Sequence, residues 1–276
     1  LQPPLTHGSI GMPYGDAMPG TSFDQVADIY DATRGGERRG DRFADALAPW
    51  IVGPAVVELG VGTGVIASGL GRHGVDVVGF DLSAPMMRSA VDRIGHRVAR
   101  ADIDRSPVAD DAVDTAFLVW VLQLVHDPTV TLAEAARIVR PGGRVITVTS
   151  GPEWDADDEI GPIVDGLAPL RQMRLDHNRV VADEHTGLEL VHQGFTPWDE
   201  FETTPAHEID HIERRIYSSL FEVDDATWAT VVEPVLAELR ALPDPDRPRL
   251  RSNRHPLLVW SVTPGVLTPG ATDAAG

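Results

Sequence analysis

The sequence predicts an α/β fold: a seven-stranded, mostly parallel sheet with helices on both faces, plus an extra helical cap. Three observations carry this expectation. Short apolar runs alternate with helical stretches from residue 55 to residue 149. Runs such as Ala55–Leu59 (AVVEL) and Asp114–Trp120 (DTAFLVW) are nearly continuous in apolar residues, as strands covered on both faces are. After Ser150 the rhythm changes and helical stretches dominate. A chain of 276 residues accommodates one large domain of this kind, or one domain with a cap. With 42% hydrophobic and 24% charged residues it supplies a core, which argues against wholesale disorder.

Each element follows in order. Residues 1–21 are rich in Pro and Gly without periodicity and read as a flexible arm. Ser22-Phe23-Asp24-Gln25 has the form of a capping box and should open a helix, with Phe23, Val26, Ala27 and Tyr30 on one face. Gly35-Gly36 should stop it, and a short helix from Asp41 to Trp50 follows. Ala55–Leu59 is a strand, Gly60–Gly64 a glycine loop and Val65–His73 a helix. Val75–Asp81 is a strand, Ala84–Ile94 a helix and His96–Ala101 a weaker strand. Asp114–Trp120 is the fourth strand, and Thr129–Val139 a helix with Leu132, Ala135, Ala136 and Val139 on one stripe. Pro141-Gly142-Gly143 turns the chain into a fifth strand, Arg144–Thr149. Residues 153–159 are acidic and expected to be exposed. Helices are expected over 159–175 and 183–193, then a sixth strand over Gly194–Thr203, weakened by Pro197. Two helices broken near Pro234 span 206–242, and a Pro/Arg loop spans 243–254. His255–Val262 is the last strand, and residues 264–276 read as a disordered tail.

Composition narrows the function. There is no Cys, which removes disulfides, thiolate nucleophiles and Cys-based metal sites. All 23 basic residues are Arg, so Lys Schiff-base chemistry is excluded. A net charge of −19 repels a phosphate backbone, so no nucleic-acid partner is expected. No apolar run approaches the roughly 20 residues of a membrane span, and the stretch LQPPLTHGSIGMPYG does not resemble a signal peptide. The expected setting is cytoplasmic and the expected partner a small molecule. Self-association into a homo-oligomer stays open.

The glycine loop carries the chemistry. In Val56–Gly64 (VVELGVGTG) a strand passes through glycines into a helix whose first N–H groups are unpaired. Two cofactor classes use such a loop. The dinucleotide fingerprint G-x-G-x-x-G fits Gly60 and Gly62, but its third position is Val65, and Gly64 comes one residue early. Glu58 inside the strand also departs from that pattern. Asp81 ends the next strand about twenty residues on, where a carboxylate can accept both hydroxyls of a ribose.

Glu58–Gly64 (ELGVGTG) resembles the E/D-x-G-x-G-x-G loop of class I S-adenosylmethionine-dependent methyltransferases. Asp81–Met87 (DLSAPMM), Asp102-Ile103-Asp104 and Ala136–Arg144 (ARIVRPGGR) are similar to further segments of that family, in the same order. Phe23–Arg34 (FDQVADIYDATR) resembles the N-terminal helix of its small-molecule members, the menaquinone/ubiquinone group. The likeness covers roughly residues 23–150. It implies a Rossmann-like fold, S-adenosylmethionine as cofactor, and methyl transfer to an oxygen, nitrogen or carbon atom of a small molecule, while the Lys-free, Arg-rich composition suggests a role in secondary metabolism. It implies that Gly60 and Gly62 carry the methionyl chain, with Glu58 at its amino group. Asp81 would bind the ribose, Met86 cover the adenine, and Asp102 and Ile103 meet its edge. Leu82 and Val119 complete the cofactor set. Tyr30 and Arg34 would close over the methionyl end, Arg34 facing the carboxylate. On this reading residues 22–263 are one domain, with the cofactor half at 22–150 and the acceptor cap within 151–254. Residues 12–34 would form a lid, with Tyr14 facing the reaction centre as a candidate catalytic group.

Two segments depart from the resemblance. Where relatives carry a His pair after the fourth strand, this chain has Gln123 and Leu124, with His126 two residues on. Gln123 is therefore a candidate substrate-binding residue and His126 a candidate catalytic one. His207–His211 (HEIDH) matches the H-E-x-x-H zinc signature. Asp210 inside it and the lack of an evident third ligand argue for a substrate-facing or solvated pair, so no metal is expected. A non-methylating S-adenosylmethionine binder and an NAD(P)-dependent oxidoreductase remain as alternatives.

Overall fold

Residues 21–24, 26–172 and 187–263 are described by the structure, a computed structural model. The chain enters through three helices, α1 (Thr21–Asp24), α2 (Ala27–Thr33) and α3 (Gly36–Leu47). The expected alternation then holds. The first half contains β1 (Val56–Leu59), α4 (Val65–Arg72), β2 (Val77–Asp81), α5 (Ala84–Ile94), β3 (Val98–Arg100), β4 (Val113–Val119), α6 (Pro128–Ile138) and β5 (Val139–Val148). The second half contains β6 (Glu153–Trp154), α7 (Gly161–Val164), α8 (Ala168–Gln172), β7 (Leu188–Phe195), β8 (Asp199–Thr203) and α9 (Pro205–Glu213). It closes with α10 (Asp225–Thr227), α11 (Glu233–Ala241), β9 (Arg249–Arg254) and β10 (Pro256–Val262).

Seven strands form one sheet in the order β3-β2-β1-β4-β5-β10-β7. β1 to β5 run parallel, and β10 is antiparallel to both its neighbours. β1 is buried at all four positions and β4 at all seven, which explains their unbroken apolar runs. On one face, Phe43 and Leu47 of α3 and Leu70 of α4 pack on Val56, Phe117 and Ile146. On the other, Leu132, Ala135 and Ile138 of α6 pack on Val57, Ala116 and Trp260. α3 and α4 touch through glycines: a Cβ on Gly40 would lie 2.4 Å from the Val65 carbonyl oxygen. A separate apolar cluster, including Ile160, Leu167, Ile212, Leu220 and Leu236, forms the cap. A small antiparallel sheet, β6-β9-β8, joins the cap to the main body.

The second half differs from expectation in several places. Residues 188–193, expected as helix, belong to β7, the edge strand paired to β10. Leu and Glu favour helix locally, but the strand is fixed by a partner about 65 residues away, and non-local pairing outweighs propensity. The expected sixth strand over 194–203 splits: its start ends β7, and Asp199–Thr203 forms β8 in the small sheet. The expected loop over 243–254 contains β9. Asp158, expected to be exposed, is buried. The N-terminal helix is broken in two, and Gly35-Gly36 starts α3 rather than only ending α2, with Gly35 at φ +84°. The turn at Pro141-Gly142-Gly143 lies within β5, where the register shifts. Pro234 does mark a break, standing at the start of α11 after a widened turn at Trp228–Val232. The expected arm before residue 21, Tyr14 and the tail over 264–276 lie outside the described residues.

Candidate active site

β1 lies between β2 and β4, where the order of connections reverses, and the carboxyl ends of the strands open a crevice there. The glycine loop forms its floor. The N–H groups of Gly60 and Val61 donate to the Phe80 carbonyl at 2.8 and 2.9 Å. Gly60 has φ +85°, and a Cβ there would lie 2.3 Å from a Val121 methyl, so no other residue fits. Gly62, at φ +53°, has open space beside it and donates its N–H to Asp81 Oδ2 at 2.8 Å. The second oxygen of Asp81 accepts from Ser83 N at 2.8 Å. Burial raises the Asp81 pKa, opposed by these N–H groups and helped by nearby Asp24.

Glu58 stands in β1 just before the loop. It is 2% exposed, and its Oε2 has no hydrogen-bond partner. Burial, then the charge of Asp81, pushes its pKa well above the usual carboxylate range, although the Ala67 N–H in the first turn of α4 binds it. Such a group is costly unless a cation meets it. Around it, Met86 is buried on α5, whose first turn is capped by Ser83. Leu82 is half-buried and Val119 is buried at the end of β4. Asp102 is exposed and caps a short turn that buries Ile103. All these residues gather at the carboxyl edge of β1–β4. Above the edge, Asp24 of α1 accepts from Ser83 Oγ at 2.5 Å. Asp31 of α2 accepts from Thr63 Oγ1 at 2.7 Å and pairs with Arg93 at 2.7 Å.

Next to the loop, a cavity of about 710 Å³ lies between the sheet edge and the cap. Tyr30, Arg34, Arg39, Trp120 and Gln123 line its sheet side. Trp120 adopts φ +55°, a rare conformation for a bulky residue and one that gathers at functional sites. Arg39 stacks over its ring at 3.8 Å, and Phe43 meets it edge-on at 4.4 Å. Burial raises the Tyr30 pKa, but Arg39 and Arg34 outweigh it and hold the hydroxyl below its ordinary value. Gln123 Oε1, Ser150 Oγ, Thr203 Oγ1 and Asn253 Oδ1 are buried, belong to the lining, and have no partner.

The cap wall is built on ions. Arg251, 2% exposed, pairs with Asp158 at 3.0 Å and Glu208 at 3.2 Å. Glu208 accepts the Tyr217 hydroxyl at 2.6 Å, so both its oxygens are committed. His211 stacks on His207 at 4.0 Å between centroids. Burial, then His207, lowers the His211 pKa, which leaves a neutral imidazole able to take a proton. Arg34 donates to the Ile216 carbonyl at 2.8 Å and lies over Tyr217 at 5.1 Å, bridging α2 to the cap.

Residues 57–147 match a family described as a methyltransferase domain. The matched segment, about a third of the chain, is thus similar to class I S-adenosylmethionine-dependent methyltransferases. The match decides between the two cofactor classes that the glycine spacing leaves open. The demethylmenaquinone methyltransferase of Mycobacterium marinum is 36% identical over 132 residues, 45% of this chain and 55% of that protein. The chain thus spans about half the length of the curated relatives it matches. An S-adenosylmethionine-dependent methyltransferase from Thermotoga maritima, described as a possible histamine N-methyltransferase, has the same fold. Its TM-score is 0.52 at 16% identity, over 89% of this chain and 99% of that one. The (4+2)-cyclase SpnF shares it too, with a TM-score of 0.54 at 18% identity, over 89% and 95%. One fold thus carries different reactions, and the chemistry of the site must decide among them.

Of the methyltransferase residues expected from sequence, Tyr30, Arg34 and Gln123 line the cavity, whereas Glu58, Gly60, Gly62, Asp81, Leu82, Met86, Asp102, Ile103 and Val119 do not. His126 is exposed and is not among the cavity's lining, because the chain after β4 turns it outward before α6. His207, Glu208 and His211 line the cavity, the first of the two placements left open for this segment. Among the described residues, no group of three or more His, Cys, Asp or Glu could hold a metal ion. No helix among them is long and apolar enough to cross a membrane. Sequence reasoning missed Arg39, Trp120, Tyr217 and Arg251. Only Trp120 carried a signal, its place at the carboxyl end of the strand beside the glycine loop.

Proposed function

We propose that this protein transfers a methyl group from S-adenosylmethionine to a small-molecule acceptor held under the cap. The observation that carries the reading is the buried Glu58 oxygen without a partner, beside the open space at Gly62 and the carboxylate of Asp81. An ammonium at Glu58 and a ribose diol at Asp81 would satisfy both. Met86 and Ile103 would pack on the adenine, with Asp102 at its edge and Leu82 and Val119 flanking. Arg34, whose Nε is buried without a partner, would face the cofactor carboxylate, with Tyr30 beside it. When bound, the cofactor supplies an electrophilic methyl carbon. The protein contributes alignment and a dry site, and His211 stands where it can accept the acceptor's proton. Residues 22–150 serve as the cofactor half and the cap within 151–254 as the acceptor half, with α1 and α2 as the inner part of a lid. The finer setting, a cytoplasmic enzyme of secondary metabolism, rests on composition: an acidic chain without Lys.

The test has two steps. Calorimetry should show S-adenosylhomocysteine binding at one site, weakened in Asp81→Ala, with no response to NADH. Incubation with S-adenosylmethionine and a panel of hydroxylated aromatic acids should then yield a product heavier by one methyl group. Absence of S-adenosylhomocysteine binding would overturn the reading.

A further inference from the structure

We propose that the acceptor is a planar carboxylate, an aromatic acid whose anionic group pairs with Arg39 at the Trp120 end of the cavity. The proposal rests on the methyl-transfer reading and adds the substrate class. Four arginines line the cavity: Arg34, Arg38, Arg39 and Arg251. Arg251 is matched by Asp158 and Glu208, and Arg38 by Asp199, which Arg42 also holds. The remaining acid of the lining, Glu202, is exposed at the β8 edge. Arg39 is supported first by the Tyr30 hydroxyl, which it hydrogen-bonds, and only last by Asp31, which is committed to Arg93 and Thr63. Among the described residues, Arg34 and Arg39 therefore face the cavity with no carboxylate partner. Their closeness is itself unfavourable, since burial and then Arg34 both act against the charge on Arg39.

This arrangement runs against composition. The chain carries 42 acids and 23 arginines, so a guanidinium pair that meets a tyrosine hydroxyl but no carboxylate inside a cavity is not for want of carboxylates. A buried charge needs a counter-ion, and here a ligand must bring it. Arg34 is assigned to the cofactor carboxylate. Arg39 is left for the acceptor.

Geometry gives the shape. The Arg39 guanidinium is stacked at 3.8 Å on the Trp120 ring, its Nε buried and without a partner. Phe43 and Tyr30 complete an aromatic slot around it. A fork held flat against an indole favours a planar, bidentate carboxylate. A phosphate dianion would leave one charge unmatched, because the other arginines are committed. Across the slot, Gln123 Oε1, Ser150 Oγ and Asn253 Oδ1 can take the hydrogens of acceptor hydroxyl groups.

The test uses the full chain saturated with S-adenosylhomocysteine, so that the cofactor carboxylate is already in place. Naphthoate, naphthamide and naphthyl phosphate are titrated in by calorimetry. Naphthoate should bind at least about tenfold more tightly than naphthamide, the scale of a charge-assisted hydrogen bond. The difference should vanish in Arg39→Gln and persist, reduced, in Arg39→Lys. Equal binding of naphthoate and naphthamide by the native protein overturns the proposal without any variant. A preference unaltered in Arg39→Gln, or a preference for naphthyl phosphate, also overturns it. Failure of S-adenosylhomocysteine itself to bind would overturn the methyl-transfer reading instead, and is seen before any naphthoate is added.

Discussion

Replacing Glu58 by Gln should move stability and cofactor affinity in opposite directions. The carboxylate is buried, and one oxygen lacks any partner. Its folded pKa is raised by burial and by Asp81. A carboxyl group with a raised folded pKa contributes fully to stability only below its unfolded value, and the contribution is lost as pH rises through the folded value. The unliganded protein should therefore lose stability as pH climbs above about 4.5, its unfolded value, until Glu58 has fully ionised. Gln keeps an oxygen for the Ala67 N–H and carries no charge. At neutral pH it should stabilise the unliganded protein by about 1–3 kcal/mol, the cost of a buried unsatisfied polar group. That corresponds to a rise in Tm of roughly 2–10 °C for a chain of this size. Affinity for S-adenosylhomocysteine should fall roughly 10- to 150-fold, because a charged hydrogen bond to the ammonium contributes about 1.5–3 kcal/mol. Binding to the native protein should also release a proton, since an ammonium favours the ionised carboxylate. Thermal melts from acid to neutral pH, with calorimetry in two buffers of different ionisation enthalpy, measure all three effects. A variant less stable than the native protein at neutral pH, or one with unchanged affinity, would refute the reasoning.

Other perturbations test the remaining parts of the site. Asp158→Ala leaves the buried Arg251 with Glu208 as its one carboxylate partner among the described residues and should cost about 3–5 kcal/mol in urea denaturation, whereas Asp158→Ala with Arg251→Met should recover much of that loss. Additive losses in the double variant would mean the pair is not coupled. Gly60→Ala meets both a left-handed backbone and the Val121 methyl at 2.3 Å, so it should destabilise by about 2–5 kcal/mol. Gly62→Ala has open space and should cost only about 1–2 kcal/mol, yet abolish S-adenosylhomocysteine binding. Equal stability losses in the two variants would contradict the loop geometry. His211 has a folded pKa lowered by burial and by His207, so the unfolded chain takes up its proton first on acidification. Stability should decline as pH falls below about 6.5, and His211→Gln should flatten that decline in denaturation at acid and neutral pH.

The cofactor half was legible because its signals are local. Apolar runs without alternation marked β1 and β4, and α5 stands at its expected bounds, Ala84–Ile94. The spacing from Gly60 to Gly64 and the acid at Asp81 fixed where a ligand could lie, since a loop between a strand and a helix is determined by its own glycines. The cap half was legible only as helical and polar. β7 reads as helix until β10 pairs with it, and β9 reads as a loop until β6 and β8 flank it. Asp158, Glu208 and Arg251 stand far apart in sequence, and nothing near any of them announces the others. The HEIDH spacing left a substrate-facing and a solvated placement open, and the choice depends on Ile212 packing into the cap with Glu208 and His211 buried. His126 shows the reverse case, a residue suited to catalysis by type and position that the turn before α6 directs outward. The sequence by itself determined the parallel strands β1 to β5 and the glycine loop, because contacts within a few residues set them. Only the tertiary structure decided the acceptor cavity and its unmatched Arg39, because charge balance in a buried space depends on which distant side chains fold around it.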